Sequence, residues 1–325
     1  MNAARATRNE ATASEVVPFA NTKSARPPAS MSLAVTQLIV YPIKGCRGVS
    51  LSRATVTDVG LQHDREFMVV NSAGRFVTQR THSRLALVAP QLPPGDAAPS
   101  DGALSLSAPG MPQLQVPLAP SRRRRRAPVS VWEWSGEADD EGDEAGDWFS
   151  AFLGISCRLV RFAPGARRQT DATYGDGKTL FTDGFPVLTV TEASLAALNA
   201  RLAPPGVPMD RFRPNVVVGG ALPFAEDGWE RFRAGNAVLR GVKPCSRCKV
   251  TTIDQATGRD GGEQEPLRSL SSFRSGAALG WKEPGGGDAW RAQVFFGSNA
   301  CVEAGGSLAV GDAVSVLSTR DWRAA

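Results

Sequence analysis

Two cysteines three residues apart, in Pro244-Cys245-Ser246-Arg247-Cys248, are the strongest local candidates for chemistry in this chain of 325 residues. Such a pair admits several readings. A structural zinc site needs four ligands, usually as two pairs of Cys or His. Here Cys46, Cys157 and Cys301 are isolated, and His63 and His82 lie far from the pair in sequence. A redox pair sits at a helix N-terminus, whose dipole depresses a thiol pKa. The β-branched run Lys249-Val250-Thr251-Thr252-Ile253 instead predicts a strand after Cys248. A third reading is a single thiolate acting as a soft ligand to a cofactor metal; Arg247 and Lys249 beside Cys248 would favour that ionised form. On local sequence alone, two packed thiols without chemistry are the simplest account.

Composition narrows what the rest of the chain can be. It has 37 Lys+Arg against 32 Asp+Glu, a formal charge of +5. The consecutive Arg122, Arg123, Arg124, Arg125 and Arg126 account for the whole excess, so the body is charge-balanced and no nucleic-acid surface is implied. Five thinly spread cysteines predict a reducing compartment rather than a disulfide scaffold. No apolar run reaches the length of about 18 residues that a transmembrane helix needs. Residues 1–32 lack the apolar core of a secretory signal and read as a disordered extension, with Met31 as an alternative start. The cytosol is then the default location, and an organellar transit role for the extension stays open.

The elements that must position the cysteines read as mainly β with some α, an α+β fold. Residues 33–41 form an apolar strand that stops at Pro42. Residues 66–70 and 75–79 flank Asn71-Ser72-Ala73-Gly74 as a hairpin, and residues 104–107 and 113–118 flank a second turn. Such punctuation predicts a barrel or sandwich rather than a parallel βαβ sheet. Residues 119–147, with the arginine run, an acidic cluster and the strand-like residues 129–134 between them, predict a solvated charged loop. A short helix over 148–153 and a strand over 157–162 follow. Thr191 caps a helix whose Leu195, Leu198 and Leu202 form one buried stripe. Strands are expected at 186–190, 215–218, 237–240, 249–253, 292–296 and 313–317.

Longer stretches add a resemblance. Tyr41-Pro42-Ile43-Lys44-Gly45-Cys46-Arg47-Gly48 with Gly60-Leu61-Gln62-His63-Asp64-Arg65-Glu66-Phe67 resembles the N-terminal segment of MOSC-family proteins. Thr191-Glu192-Ala193-Ser194-Leu195, Arg211-Phe212-Arg213-Pro214-Asn215 and Cys245-Ser246-Arg247-Cys248 resemble the MOSC domain itself. The order is kept from about residue 33 to 317, and the nearest branch is that of amidoxime-reducing molybdenum enzymes. The resemblance implies an N-terminal MOSC-type β region over 33–160 and a MOSC β-barrel with covering helices over 161–320.

It further implies a molybdenum–pterin (molybdopterin) cofactor with Cys248 as the protein ligand to the metal. Lys44, Arg65 and Arg213 match positions that hold the cofactor's anionic tail, where cations and amides are needed. Asn215, Ser246, Arg247 and Asn299 match positions around the pterin and metal. Gly45, Gly184 and Phe185 match lining positions, and the two glycines could contribute only backbone. Cys245 matches a cysteine that is not a ligand, and Asp183 and Asp254 fall on family-like positions, although the default role of such carboxylates is to hold an arginine or cap a turn. The implied reaction is reduction of small N-hydroxylated substrates such as amidoximes. Because the chain has no iron–sulfur, haem or flavin motif, its electrons would come from a separate b-type cytochrome and an NADH-dependent cytochrome reductase. Two alternatives stay open: a carrier of molybdenum cofactor or sulfur without turnover, and a non-catalytic module that binds an anionic surface through the arginine run.

Overall fold

The computed structural model describes residues 32–94, 102–119, 125–261 and 264–323. Residues 1–31 of the extension expected over 1–32, Met31 among them, and Arg122, Arg123 and Arg124 of the basic run lie outside them. In chain order the first half runs β1 (Ala34–Val40), β2 (Val49–Leu51), β3 (Arg53–Thr57), β4 (Gly60–Leu61), β5 (Phe67–Asn71), β6 (Ala89–Gln91), β7 (Ala103–Ser107) and β8 (Leu114–Pro117). It continues with β9 (Arg126–Val131), β10 (Trp134–Asp140), α1 (Asp143–Leu153) and β11 (Cys157–Phe162). The second half holds β12 (Val187–Thr191), α2 (Glu192–Asn199), β13 (Val216–Gly219), β14 (Trp229–Ala234) and β15 (Ala237–Ser246). Then come α3 (Leu267–Arg274), α4 (Gly276–Leu279), β16 (Phe295–Ala304), β17 (Gly306–Ala309) and β18 (Val314–Thr319). The fold is mainly β with a few helices, the α+β class expected. Among the described residues no helix is long and apolar enough to cross a membrane.

The largest sheet has the order β18-β14-β15-β16-β12-β13-β1-β2, so the N-terminal strands complete the sheet of the second half. Its one parallel pair is β12 and β13, joined through α2, a small βαβ unit that strand punctuation does not reveal. Both strands are buried on both faces, as parallel strands require. A four-stranded sheet β5-β11-β10-β9 and two three-stranded sheets, β17-β3-β4 and β6-β7-β8, make up the rest. Separate apolar clusters sit under them. Phe149, Phe152, Leu104 and Val116 fill one, and Val35, Val216, Phe232 and Leu308 fill another.

Four local expectations change. The charged segment is not a loop where it is described: Arg126 starts β9, the acids lie on β10, at Glu141 just after it and on α1, and α1 begins five residues earlier than expected. Like charges coexist there because basic strand residues neutralise them. Arg126 pairs with Glu137 and Asp139, and Arg158 of β11 pairs with Asp140 and Asp143. Asp143 and Glu144 also favour the positive end of the helix. The turn at Asn71 forms with Gly74 at φ 72°, but residues 75–79 make only isolated bridges before leaving the ladder. Residues 249–252 form a 3-10 helix rather than a strand, just beyond the end of β15, an interior strand already paired on both sides by β14 and β16. The second half also holds β14, β17, α3 and α4, which the sequence pattern did not reveal.

The Thr191 cap is as expected. Its hydroxyl accepts the Ser194 N–H at 3.2 Å and lies 3.0 Å from Glu226 Oε2 in a fully buried cluster. Thr191→Ala removes both bonds and leaves a buried carboxyl short of a donor. We expect a loss of about 1–2 kcal/mol, read by thermal unfolding as a drop of several degrees in midpoint.

Candidate functional site

A cavity of about 300 Å³ opens where the loops of the two halves meet. Lys44, Gly45, Arg65, Gly184, Phe185, Arg213, Asn215, Ser246, Arg247, Cys248 and Asn299 all line it, so the structure brings every expected residue to one place. Topology explains how. Lys44 and Gly45 follow β1, Ser246 ends β15, Asn299 lies on β16 beside it, and Asn215 immediately precedes β13. Cys248 caps the 3-10 helix in an extended conformation and is half-buried.

Two guanidiniums are built into the wall. Arg65 and Arg213 both stack on the buried ring of Tyr41, each 4.2 Å from its centroid, and both have left-handed backbone at φ 50° and 56°. Non-glycine residues are uncommon there, and such strain collects at functional sites. Arg65 Nη1 donates to Asp64 at 2.5 Å and to Asn215 Oδ1 at 3.0 Å. Arg213 donates to the Cys46 carbonyl at 2.7 Å and to Gln255 Oε1 at 3.2 Å. Burial pushes the proton affinity of Arg213 down, and the nearby Arg65 charge adds to this. Holding two like charges in an enclosed wall favours an anion between them.

The other predicted residues differ in how directly they face the cavity. The Asn215 amide is occupied structurally: its oxygen also accepts the Leu188 N–H at 3.1 Å and its nitrogen donates to Ile39 at 3.1 Å, so it fixes Arg65 and ties strands together. Gly45 has φ 85°, and its carbonyl accepts from Gln79 Nε2 at 2.6 Å. A Cβ on Gly184 would meet nothing, so packing does not require glycine there. Arg247 donates to the Phe212 carbonyl at 2.7 Å and to Cys245 Sγ at 2.9 Å, while its buried Nε has no partner among the described residues. Asp254 accepts from Arg211 and from the Ala256 and Thr257 N–H groups, the arginine-holding and turn-capping roles together.

Asp183 lines the cavity and accepts from Lys44 Nζ at 2.5 Å and from Trp132 Nε1 at 3.2 Å. Its side chain is 68% accessible yet crowded by the cavity wall. Enclosure raises its proton affinity, but Lys44, Arg80 and Trp132 outweigh that and hold the carboxyl well below the usual range. Burial lowers Lys44 to about 8 despite the Asp183 charge.

Several lining residues have no sequence signal. Arg80 Nη2 donates to Cys248 Sγ at 3.0 Å across 168 positions of chain. Gln79 pairs its amide with that of Gln255, and Lys243 stands 3.9 Å over the Tyr174 ring. These positions belong to no motif and converge only in the fold.

The whole wall carries Lys44, Arg65, Arg80, Arg213, Lys243 and Arg247 against a single carboxylate, Asp183. Among the described residues no three His, Cys, Asp or Glu side chains converge as around an ion held by protein alone. A half-buried cysteine sulfur in a cationic cavity, with a buried and unpartnered N–H on Arg247, fits a phosphate-bearing group whose metal brings its other ligands with it.

Comparison with known proteins agrees with this architecture. Residues 32–156 match the MOSC N-terminal beta barrel domain and residues 176–315 the MOSC domain. Mitochondrial amidoxime-reducing component 1 of Mus musculus is 36% identical over 87% of this chain and 82% of its own length. Mitochondrial amidoxime reducing component 2 of Bos taurus is 34% identical over 86% and 82%, and component 1 of Homo sapiens 33% over 87% and 82%. At this identity over nearly the whole relative, the chain belongs to the MOSC family and is similar, within it, to the mitochondrial amidoxime-reducing components.

Proposed function

We propose that this protein is a molybdenum-cofactor oxidoreductase that reduces N-hydroxylated compounds, amidoximes and hydroxylamines, to the amidine or amine and water. The observation that carries the reading is Cys248, a half-buried thiol facing a cavity with six cations and one carboxylate. The cofactor, when bound, supplies the two-electron chemistry that cleaves an N–O bond. The balance is two electrons and two protons taken up per N–O bond broken, with the oxygen leaving as water.

The chain's own residues bind and orient. Cys248 supplies the thiolate ligand, and Lys44, Arg65 and Arg213 hold the anionic tail through charge-assisted bonds. Arg247 lines the cavity, is held by Cys245 Sγ and the Phe212 carbonyl, and has a buried Nε without a partner among the described residues, a donor the cofactor could use. Lys243, whose proton affinity is lowered by burial, lines the same cavity and is placed to release a proton from Nζ. Electrons come from a separate b-type cytochrome and its NADH-dependent reductase, the donors that the family resemblance implies, and the sequence carries no second cofactor motif of its own. Docking through the arginine run would fall to members other than Arg126, which is already paired in the sheet.

The test is direct. The purified protein should contain molybdenum and pterin and reduce an amidoxime such as benzamidoxime with an artificial electron donor. Metal without turnover would make it a carrier; neither metal nor turnover would remove the reading.

A further inference from the structure

After the turn that follows β5, Phe76 and Val77 still bridge back to that strand, and the chain then leaves the ladder, with Phe76 and Arg80 both in the cavity wall. A free arginine side chain there would sample many rotamers, and a hydrogen bond to one sulfur would not hold it. The Arg80 guanidinium is instead stacked on the Trp132 ring, 4.7 Å from the centroid, while Nη2 reaches Cys248 Sγ at 3.0 Å. Trp132 is itself pinned at its edge. Its Nε1 donates to Asp183 Oδ1 at 3.2 Å, and Phe76 packs edge-on with centroids 5.0 Å apart.

Core packing does not explain Trp132, because it is 40% exposed. Nor does turn chemistry. Val131 pairs with Trp134, so Trp132 and Glu133 form a two-residue hairpin loop, and Trp132 sits at its first position with φ 53°. That position favours glycine or asparagine, and a bulky aromatic residue there is strained. A strained, exposed tryptophan that touches three cavity-lining side chains is placed for those contacts.

We propose that Arg80 is a positioning residue for the Cys248 sulfur and that Trp132 is the clamp that holds Arg80 in place. The inference rests on Cys248 being the metal ligand and adds a pair of N-terminal-half side chains that tune it. A cationic donor on a ligating thiolate fixes the direction of the sulfur and withdraws electron density from it, which changes the metal's electronic environment. The clamp makes that donor rigid by stacking.

The test uses the molybdenum-loaded proteins wild type, R80Q, R80K, W132F, W132G and C248A. Readouts are metal and pterin content, the g-values of the paramagnetic molybdenum signal, and kcat and KM separately. R80Q is expected to shift the g-values and lower kcat roughly 10- to 100-fold, the usual range for losing a residue that supports a metal ligand, with KM nearly unchanged. R80K keeps charge without the planar fork and should recover kcat in part. W132F keeps the ring and should stay near wild type, whereas W132G should follow R80Q although its turn is better suited to glycine. Wild-type g-values and kcat in R80Q, with metal lost in C248A, would overturn the positioning role and leave the ligand assignment standing. Wild-type behaviour in W132G beside a shifted R80Q would overturn the clamp. Full metal in C248A would instead sink the ligand assignment itself. If R80Q does not fold, R80K and the Trp132 variants carry the same comparison, since Trp132 lies in an exposed turn.

Discussion

Cys248→Ala protein is expected to fold and to contain almost no molybdenum, while Cys245→Ala keeps it. The two sulfurs line the same cavity but are used differently. Cys245 Sγ accepts from Arg247 and packs on the cluster of Leu188, Phe212 and Phe296, so its loss removes a contact within the loop. Cys248 lies two positions past Ser246, the last residue of β15, stands at the start of the 3-10 helix and meets Arg80. A thiolate is a soft donor suited to this metal, and no other described sulfur but Cys245 reaches the cavity. Cys248→Ser substitutes a harder, more basic oxygen and should retain little metal. Because the thiol is only half-buried, the alanine variant should lose no more than about 1 kcal/mol of stability, within the range of ordinary surface changes and small truncations. Metal analysis with thermal unfolding separates the two effects. Full molybdenum occupancy in folded Cys248→Ala would exclude the residue as the ligand.

What could be read from the sequence was whatever is carried by local pattern. The apolar runs of β1, β11 and β13, the turn at Ala108-Pro109-Gly110 and the cap at Thr191 are properties of neighbours in the chain, and the structure has them. The acidic stretch misled because its neutralising partners, Arg158 and Arg161, sit on a strand that is adjacent only after folding. The 3-10 helix after Cys248 misled for a related reason. The β-branched residues there lie past the end of an interior strand and bury Thr251 and Thr252 in a 3-10 turn, a position that only the folded sheet defines. The cavity shows the same division. Residues within motifs were named, whereas Arg80, Gln79 and Lys243 were not, since what distinguishes them is a contact with residues far away in the chain. The left-handed backbone at Arg65 and Arg213 also leaves no mark on residue identity.

Lys44→Met is expected to weaken cofactor retention roughly 10- to 150-fold, the equivalent of about 1.5–3 kcal/mol for a lost charge-assisted bond, and to change two pH profiles in opposite senses. Lys44 is nearly buried between Asp183, Arg65, Arg168 and the Phe76 ring, and burial brings its pKa down to about 8 from 10.5. In the cofactor-free protein the folded state therefore holds fewer protons than the unfolded state between those values. Stability should rise with pH through that window, by up to about 3 kcal/mol on the linkage relation, and the rise should vanish in Lys44→Met. Binding of an anionic tail runs the other way. It needs the ammonium form, so wild-type retention should fall above pH 8, whereas Lys44→Arg, whose guanidinium does not titrate there, should hold its ligand to higher pH. An anion in the cavity also raises the Lys44 proton affinity, so the loaded protein should lose the stability slope that the empty one shows. Thermal unfolding of both forms between pH 7 and pH 10, with metal content after dialysis, reads all three effects. A flat stability profile in the cofactor-free wild type, or wild-type retention in Lys44→Met, would place the anion elsewhere in the wall and leave Arg65 and Arg213 to hold it alone.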